Sequence, residues 1–209
     1  MKNLHYKIIS DTHFGHFNIL LHEPSRIQKA RIEGYEDFDE FLIEWLNEYL
    51  EDKDEILHLG DVAFKEGYKL AEKLKGNITL IKGNHDKNQY LEYYKSIGWK
   101  VINSIEIEIH FDKSHLEHIK SKYDKKILLE TACLVKDING KRIFFSHYPV
   151  FNDNSFDKKF KNISKLLQEI FSFCNCDVNI HGHTHSYCVN DKRCINACLE
   201  VNDFIPLKI

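Results

Sequence analysis

The sequence predicts an α/β sandwich, with β-sheets packed together and helices outside them. Three observations predict it. Short apolar runs of strand length alternate with segments of helical period through residues 6–97. The second half carries a hairpin signal, Asn139-Gly140 between two apolar runs, a pair that accepts the positive φ of a tight hairpin turn. No Pro-, Gly- or Ser-rich linker divides the 209 residues, so one domain over 1–209 is expected.

The elements follow in order. "YKII" (6–9) reads as a short buried strand running into "SDTHFGH". Residues Asp37 to Leu50 place Phe38, Phe41, Leu42, Trp45, Leu46, Tyr49 and Leu50 at helical spacing, a stripe suited to packing on a sheet. "EILHL" (55–59) is a strand ending at "GD"; a helix is expected over Glu66–Leu74 and a strand over "ITLIK" (78–82), ending at "GNHD". A short helix covers Asn88–Ile97, and "VINSIEIEIH" (101–110) alternates as strands do. The polar stretch 111–126 reads as a solvated helical insertion or loop, and 127–149 as the two arms of the hairpin. A helix over Ile163–Phe171, a strand "DVNI" (177–180) and one or two strands in "CINACLEV" (194–201) complete the chain.

Composition narrows the function classes. With 43% hydrophobic residues, 9 Gly and 3 Pro, the chain can fill a core and is neither repetitive nor disordered. A net charge of −3 argues against binding an extended nucleic-acid duplex, which needs a basic face, and leaves room for a small phosphorylated substrate. The opening "MKNLHYKIIS" lacks the apolar core of a signal peptide, and no run approaches the ~20 apolar residues of a membrane span. The cysteines at 133, 174, 176, 188, 194 and 198 include no CxxC pair, so free thiols and a cytoplasmic location are expected, with no membrane partner. His110, His115 and His118 lack an acid to complete a ligand set and read as a solvated face.

The informative pattern is positional. Five strand ends stop at polar or metal-ligating residues: "SDTH", "LGD", "KGNHD", "FSHYP" and "IHGHTH". In open α/β sheets, functional groups gather at the carboxyl ends of strands. Each cluster alone is weak, but five in succession after apolar runs are hard to explain as turns.

Asp11-x-His13, Gly60-Asp61, Gly83-Asn84-His85-Asp86, His147 and Gly182-His183-x-His185 resemble, in order, the motif set of the calcineurin-like metallophosphoesterases. The resemblance spans residues 8–185, and "SDTHFGHFNI" with "INACLEV" is similar to a compact bacterial and phage branch. It implies a four-layer α/β/β/α sandwich of two mixed sheets flanked by helices. It also implies a site for two divalent ions, with Asp11, His13 and His185 on one, Asn84, His147 and His183 on the other, and Asp61 bridging. Imidazole, carboxylate and amide donors suit Mn, Fe, Zn, Co or Ni better than Mg or Ca. Such a pair clamps the oxygens of an in-line displacement and supplies a hydroxide nucleophile near neutral pH. Gly182 would let the backbone approach closely, and His181 would be structural.

His85, by the same resemblance, stands over the substrate phosphate to stabilise the transition state or protonate the leaving oxygen, with Asp86 orienting its ring. His16 and Asn84 are candidate substrate contacts. Arg26 is a weaker candidate for a phosphate, and His58 reads as a packed histidine rather than a further ligand. "GDVAF" lacks the arginine of phosphoprotein phosphatases, and Asp86 replaces their glutamate, which weakens a protein phosphatase reading. The expectation is therefore a hydrolase of phosphoesters, preferring diesters of nucleotide type. The alternatives are a phosphomonoesterase, a phosphoesterase acting on nucleic-acid ends, and a non-catalytic scaffold on the same fold.

Overall fold

The computed structural model describes residues 5–151 and 158–209; the opening "MKNL" of the signal-peptide reading lies outside them. The elements run β1 (Tyr6–Ile9), α1 (Ile19–His22), α2 (Pro24–Ile32), α3 (Phe38–Tyr49), β2 (Glu55–His58), a 3-10 helix (Lys65–Lys73), β3 (Asn77–Ile81) and α4 (Asn88–Ser96). Then come β4 (Lys100–Ile102), β5 (Ile105–Ile107), α5 (Lys113–Ser121), α6 (Lys125–Glu130), β6 (Cys133–Ile138), β7 (Lys141–Ser146) and α7 (Lys158–Phe173). β8 (Val178–His181), β9 (Cys194–Asn196), a second 3-10 helix (Leu199–Asn202) and β10 (Leu207–Lys208) follow.

Among the described residues the strands form two five-stranded sheets, ordered β10-β1-β2-β3-β4 and β5-β6-β7-β8-β9. Both are mixed. β1 to β4 run parallel and β10 antiparallel, whereas the β6–β7 hairpin is the antiparallel step of an otherwise parallel second sheet. The hairpin turns on Asn139 and Gly140, at φ 50° and 80°.

The period of two along each strand sorts its side chains between layers. Ile8, Leu57 and Ile81 face Leu134, Ile143, Phe145 and Ile180 in a core between the sheets. Ile9, Ile56, Ile78 and Leu80 turn the other way, onto α3, α4 and the first 3-10 helix. Cys133, Val135 and Phe144 of the second sheet meet α5, α6 and α7. Four layers result, helix, sheet, sheet and helix, as the resemblance implies.

Several elements depart from the sequence reading. The stretch 111–126 is mostly exposed and helical as expected, but not on all sides: Leu116 and Ile119 of α5 are buried against α7. Ile127 to Glu130 belong to α6, capped by Asp124, whose carboxylate accepts the Ile127 N–H at 2.9 Å, so the hairpin arm begins at Cys133. The helix expected at Glu66–Leu74 winds as a 3-10 helix. Its Gly67 lies so close to the first loop that a Cβ would stand 2.2 Å from the Phe14 carbonyl oxygen. In "CINACLEV" only Cys194–Asn196 is strand. α1, α2 and β10 carried no periodic signal strong enough to predict them. Among the described residues, no helix is long and apolar enough to cross a membrane.

Phe145 is fully buried between the sheets. Phe145→Ala is expected to cost about 3–5 kcal/mol, read as a lower urea midpoint with an unchanged denaturant slope.

Candidate metal centre

The carboxyl ends of β1, β2, β3, β7 and β8 open at one edge of the two sheets, and their loops are tied together by backbone and side-chain hydrogen bonds. The Asp11, His13 and Phe14 amides donate to the carbonyls of Gly60, Asp61 and Val62 at 2.9–3.1 Å. The Gly182 amide donates to the His147 carbonyl at 3.0 Å, joining the fourth loop to the fifth. His183 N–H donates to Asp11 Oδ2 at 2.8 Å, which links the loop after β8 to the loop after β1. The close approach expected of Gly182 is present: a Cβ there would stand 2.0 Å from Ser10 Oγ.

Asp11, His13, Asp61, His183 and His185 all adopt left-handed backbone, with φ between 47° and 70°. Residues with a side chain occupy that region at a cost of order 1–3 kcal/mol each, and such strain collects at functional sites. The neighbouring hydrogen bonds offset it.

The side chains meet in two groups. Asp11, His13 and His185 form one, and Asp61, His147 and His183 the other; within each, one donor atom per residue lies within 4.8 Å of the rest. Asn84 completes the second, its Oδ1 2.8 Å from His147 Nε2. Asp61 stands between them. Its Oδ2 is 3.8 Å from His13 Nε2 and 3.5 Å from His147 Nε2, while its Oδ1 accepts the His85 N–H at 2.8 Å.

These residues fit a pair of divalent cations. Asp11 Oδ1 and His13 Nε2 are buried without a hydrogen-bond partner, and buried polar atoms left unpaired are costly. The other oxygen of Asp11 is occupied by the Ser10 hydroxyl, the Cys198 thiol and the His183 amide. His147 Nδ1 faces the Leu59 carbonyl at 2.8 Å, which fixes its proton there and turns the Nε2 lone pair toward His183 Nδ1, 3.0 Å away. Two ring nitrogens at that distance call for a cation or a shared proton between them.

The electrostatics are those of a desolvated cluster. Burial pushes the His13 ring down to about 4 and His183 to about 2, which keeps both neutral, the form in which an imidazole can bind a metal. Burial alone would raise Asp11, but the His13 ring, 3.5 Å away, and the charges of His147 and His185 hold its carboxyl well below the usual range. Burial raises the Asp61 carboxyl to about 7, with the Asp11 charge adding to the effect. A bound cation would reverse that direction, since nearby positive charge favours the carboxylate.

Corrections concern the surroundings. Asp86 does not orient the His85 ring; its carboxylate accepts three backbone N–H groups, from Gly83, Asp61 and Val62, at 2.8–3.0 Å. It braces the second and third loops instead. His85 is held by Phe64, 4.6 Å between ring centroids, and His16 stacks on the same ring at 3.7 Å. Phe64, within "GDVAF", was not singled out in the sequence, although its place beside Asp61 was the available signal. Arg26 is no phosphate contact. It is fully buried, donating to the carbonyls of Asp11 and Thr12 and pairing with Glu200 at 2.6 Å. Glu200 in turn accepts from His185 Nδ1 at 3.0 Å, leaving Nε2 to face Asp11. His58 is packed as expected, against Thr12 Oγ1 at 3.0 Å, and His181 is buried with Nδ1 on the Gly182 carbonyl.

Two predictions follow from these contacts. Glu200→Gln removes the charge that orients His185, and should weaken binding of Mn about 10–100-fold in a calorimetric titration and lower the unfolding midpoint, because it strands the buried Arg26. Asp39, which accepts the Gly15 N–H at 2.8 Å, is raised by burial to about 6. Its protonated form therefore favours folding; that contribution is full below about pH 4 and is lost as the pH rises through about 6. Wild type should lose stability relative to Asp39→Asn across that interval in urea titrations.

Comparison with known proteins agrees with this architecture. Residues 4–202 match the family model of the calcineurin-like phosphoesterase superfamily domain. An uncharacterised protein of Methanocaldococcus jannaschii, MJ1445, is 36% identical over 85 residues, covering 38% of this chain and 46% of that protein. The match thus spans about half the length of that curated relative. The crystal structure of AQ665 from Aquifex aeolicus, a protein of unknown function, superposes with a TM-score of 0.67 at 26% identity, covering 98% of this chain and 95% of that one. An archaeal phosphodiesterase, at 22% identity over 92% of this chain and 82% of that one, gives a TM-score of 0.45, too loose a likeness to speak for a substrate. The family match covers nearly the whole chain and takes in both carboxylate–histidine groups, and the chain belongs to the calcineurin-like phosphoesterase superfamily.

Proposed function

We propose that this chain hydrolyses phosphoesters, with phosphodiesters of nucleotide type preferred, using two divalent transition ions such as Mn, Fe, Zn, Co or Ni. The observation that carries the reading is Asp61, whose Oδ2 lies within 3.8 Å of ring nitrogens in both ligand groups. On this reading Asp11, His13 and His185 hold one ion, Asn84, His147 and His183 the other, and Asp61 both. When bound, such a pair supplies positive charge for the phosphoryl oxygens and acidifies a water for in-line attack.

The chain's own groups supply the rest. His85 is about half exposed, with Nε2 3.9 Å from Asp61 Oδ2, so its ring borders the place where a phosphate would sit. Burial holds that ring neutral, at about 4; an anionic phosphate beside it would raise its proton affinity, suiting it to donate to a departing alkoxide. Phe64 fixes the ring plane from behind, and His16, on the same ring, faces the substrate from the first loop. Arg26 is locked beneath the loop by Glu200 and does not reach the second charge of a monoester dianion, which favours the singly charged diester.

The test is hydrolysis of bis-p-nitrophenyl phosphate and p-nitrophenyl phosphate by metal-stripped protein resupplied with Mn, Ni, Zn or Mg. Diester turnover with Mn or Ni is expected to fall about 10²–10⁴-fold in His85→Ala and to be abolished in Asp61→Asn. Turnover of the monoester alone would make it a phosphomonoesterase. No turnover with any metal, while two ions still bind, would overturn the enzyme reading in favour of a scaffold.

A further inference from the structure

A cavity of about 330 Å³ opens beside the second ligand group. Lys82, Asn84, Lys87, Asn88, Glu130 and Tyr148 are among the residues that line it. The cavity and the ligand group share walls. Asn84, which faces His147 Nε2 at 2.8 Å, borders both. The Tyr148 ring stands 5.0 Å from His147 and 4.8 Å from His183, centroid to centroid. A phosphoryl group lying against Asp61 and Asn84 could therefore extend its other substituent directly into this space, which is large enough for a small ligand fragment.

Two of the lining residues are lysines. Lys82 Nζ reaches the Leu129 carbonyl at 3.3 Å and Lys87 Nζ lies 5.9 Å from the centre of the Tyr90 ring. Among the described residues, no carboxylate comes within 4.0 Å of either ammonium group, so neither charge is neutralised by an ion pair, and both border a cavity that shares Asn84 and Tyr148 with the second group. Asp86, also on the wall, has both oxygens occupied by backbone N–H groups, and Glu130 is the remaining acid. Two lysines unpaired beside a site for a phosphate are suited to an anion.

We propose that this cavity is a subsite for a second anionic group, a further phosphate, carried by the part of the substrate that stays on phosphorus when the ester is cleaved. The inference rests on the phosphoesterase reading and narrows its substrate to diesters with an additional phosphate.

Calorimetric binding of adenosine 3′,5′-bisphosphate and adenosine 5′-monophosphate to the Mn-loaded protein tests it without requiring turnover. The bisphosphate is expected to bind about tenfold tighter or more. In Lys82→Ala/Lys87→Ala that ratio should fall toward one, while Lys53→Ala, before the amino end of β2 and away from the ligand loops, should keep it. A wild-type ratio near one, retention of the ratio in the double variant, or its equal loss in Lys53→Ala would overturn the subsite. If the ratio behaves as expected but bis-p-nitrophenyl phosphate is not cleaved, the anion site stands and the enzyme reading fails. Cleavage with a ratio of one leaves the enzyme reading intact and removes the subsite.

Discussion

The carboxylate of Asp86 is the point on which the site depends. It is buried, and it accepts hydrogen bonds from the amides of Asp61, Val62 and Gly83. Those amides belong to two loops at the ends of neighbouring parallel strands, and without an acceptor they would be stranded in a region closed to water. By pulling the loops together, Asp86 sets Asp61 between the two ligand groups and brings Asn84 and His85 to either side of it. Burial raises the proton affinity of Asp86 even though its three hydrogen bonds oppose that, a measure of how far it has been withdrawn from solvent.

The first and fifth loops have their own brace. Arg26 sits under the first loop and holds two of its carbonyls, and through Glu200 it reaches His185 in the fifth. The candidate ligand residues can hold left-handed backbone because buried Asp86 and Arg26 fix the loops from below. The arrangement also separates roles. The anchoring charges lie beneath the ligand atoms, and the rings of His16, Phe64 and His85 form the surface above them.

What the sequence made legible was local. A strand that ends in Asp-x-His or Gly-Asp announces both its layer and its edge, because alternation fixes the core face and the polar residues mark where the core stops. A sandwich of sheets with helices outside could be anticipated from that; the four layers and the grouping of the candidate ligands came with the resemblance to the calcineurin-like family. The braces could not. Arg26 and Glu200 are 174 residues apart, and no spacing rule ties a helix arginine to a glutamate in a late 3-10 helix. The burial of α5 was hidden because its apolar residues are few among charged neighbours, and only α7 packed against it makes them a face. Asp86 was noticed but given the wrong partner, since adjacency in sequence suggested His85 whereas the chain turns the carboxylate inward to backbone.

The Glu200 contact bears on how the molecule is made. β1 and β2 can pair as soon as both have emerged, yet His185 gains its carboxylate only when Glu200 has been synthesised, and β10 flanks β1 later still. On the ribosome, Asp11 and His13 are therefore made well before His185 and Glu200. A nascent chain in that interval carries Asp11 and His13 without His185, the third member of their group, so firm capture of a metal there would be a late event in biosynthesis.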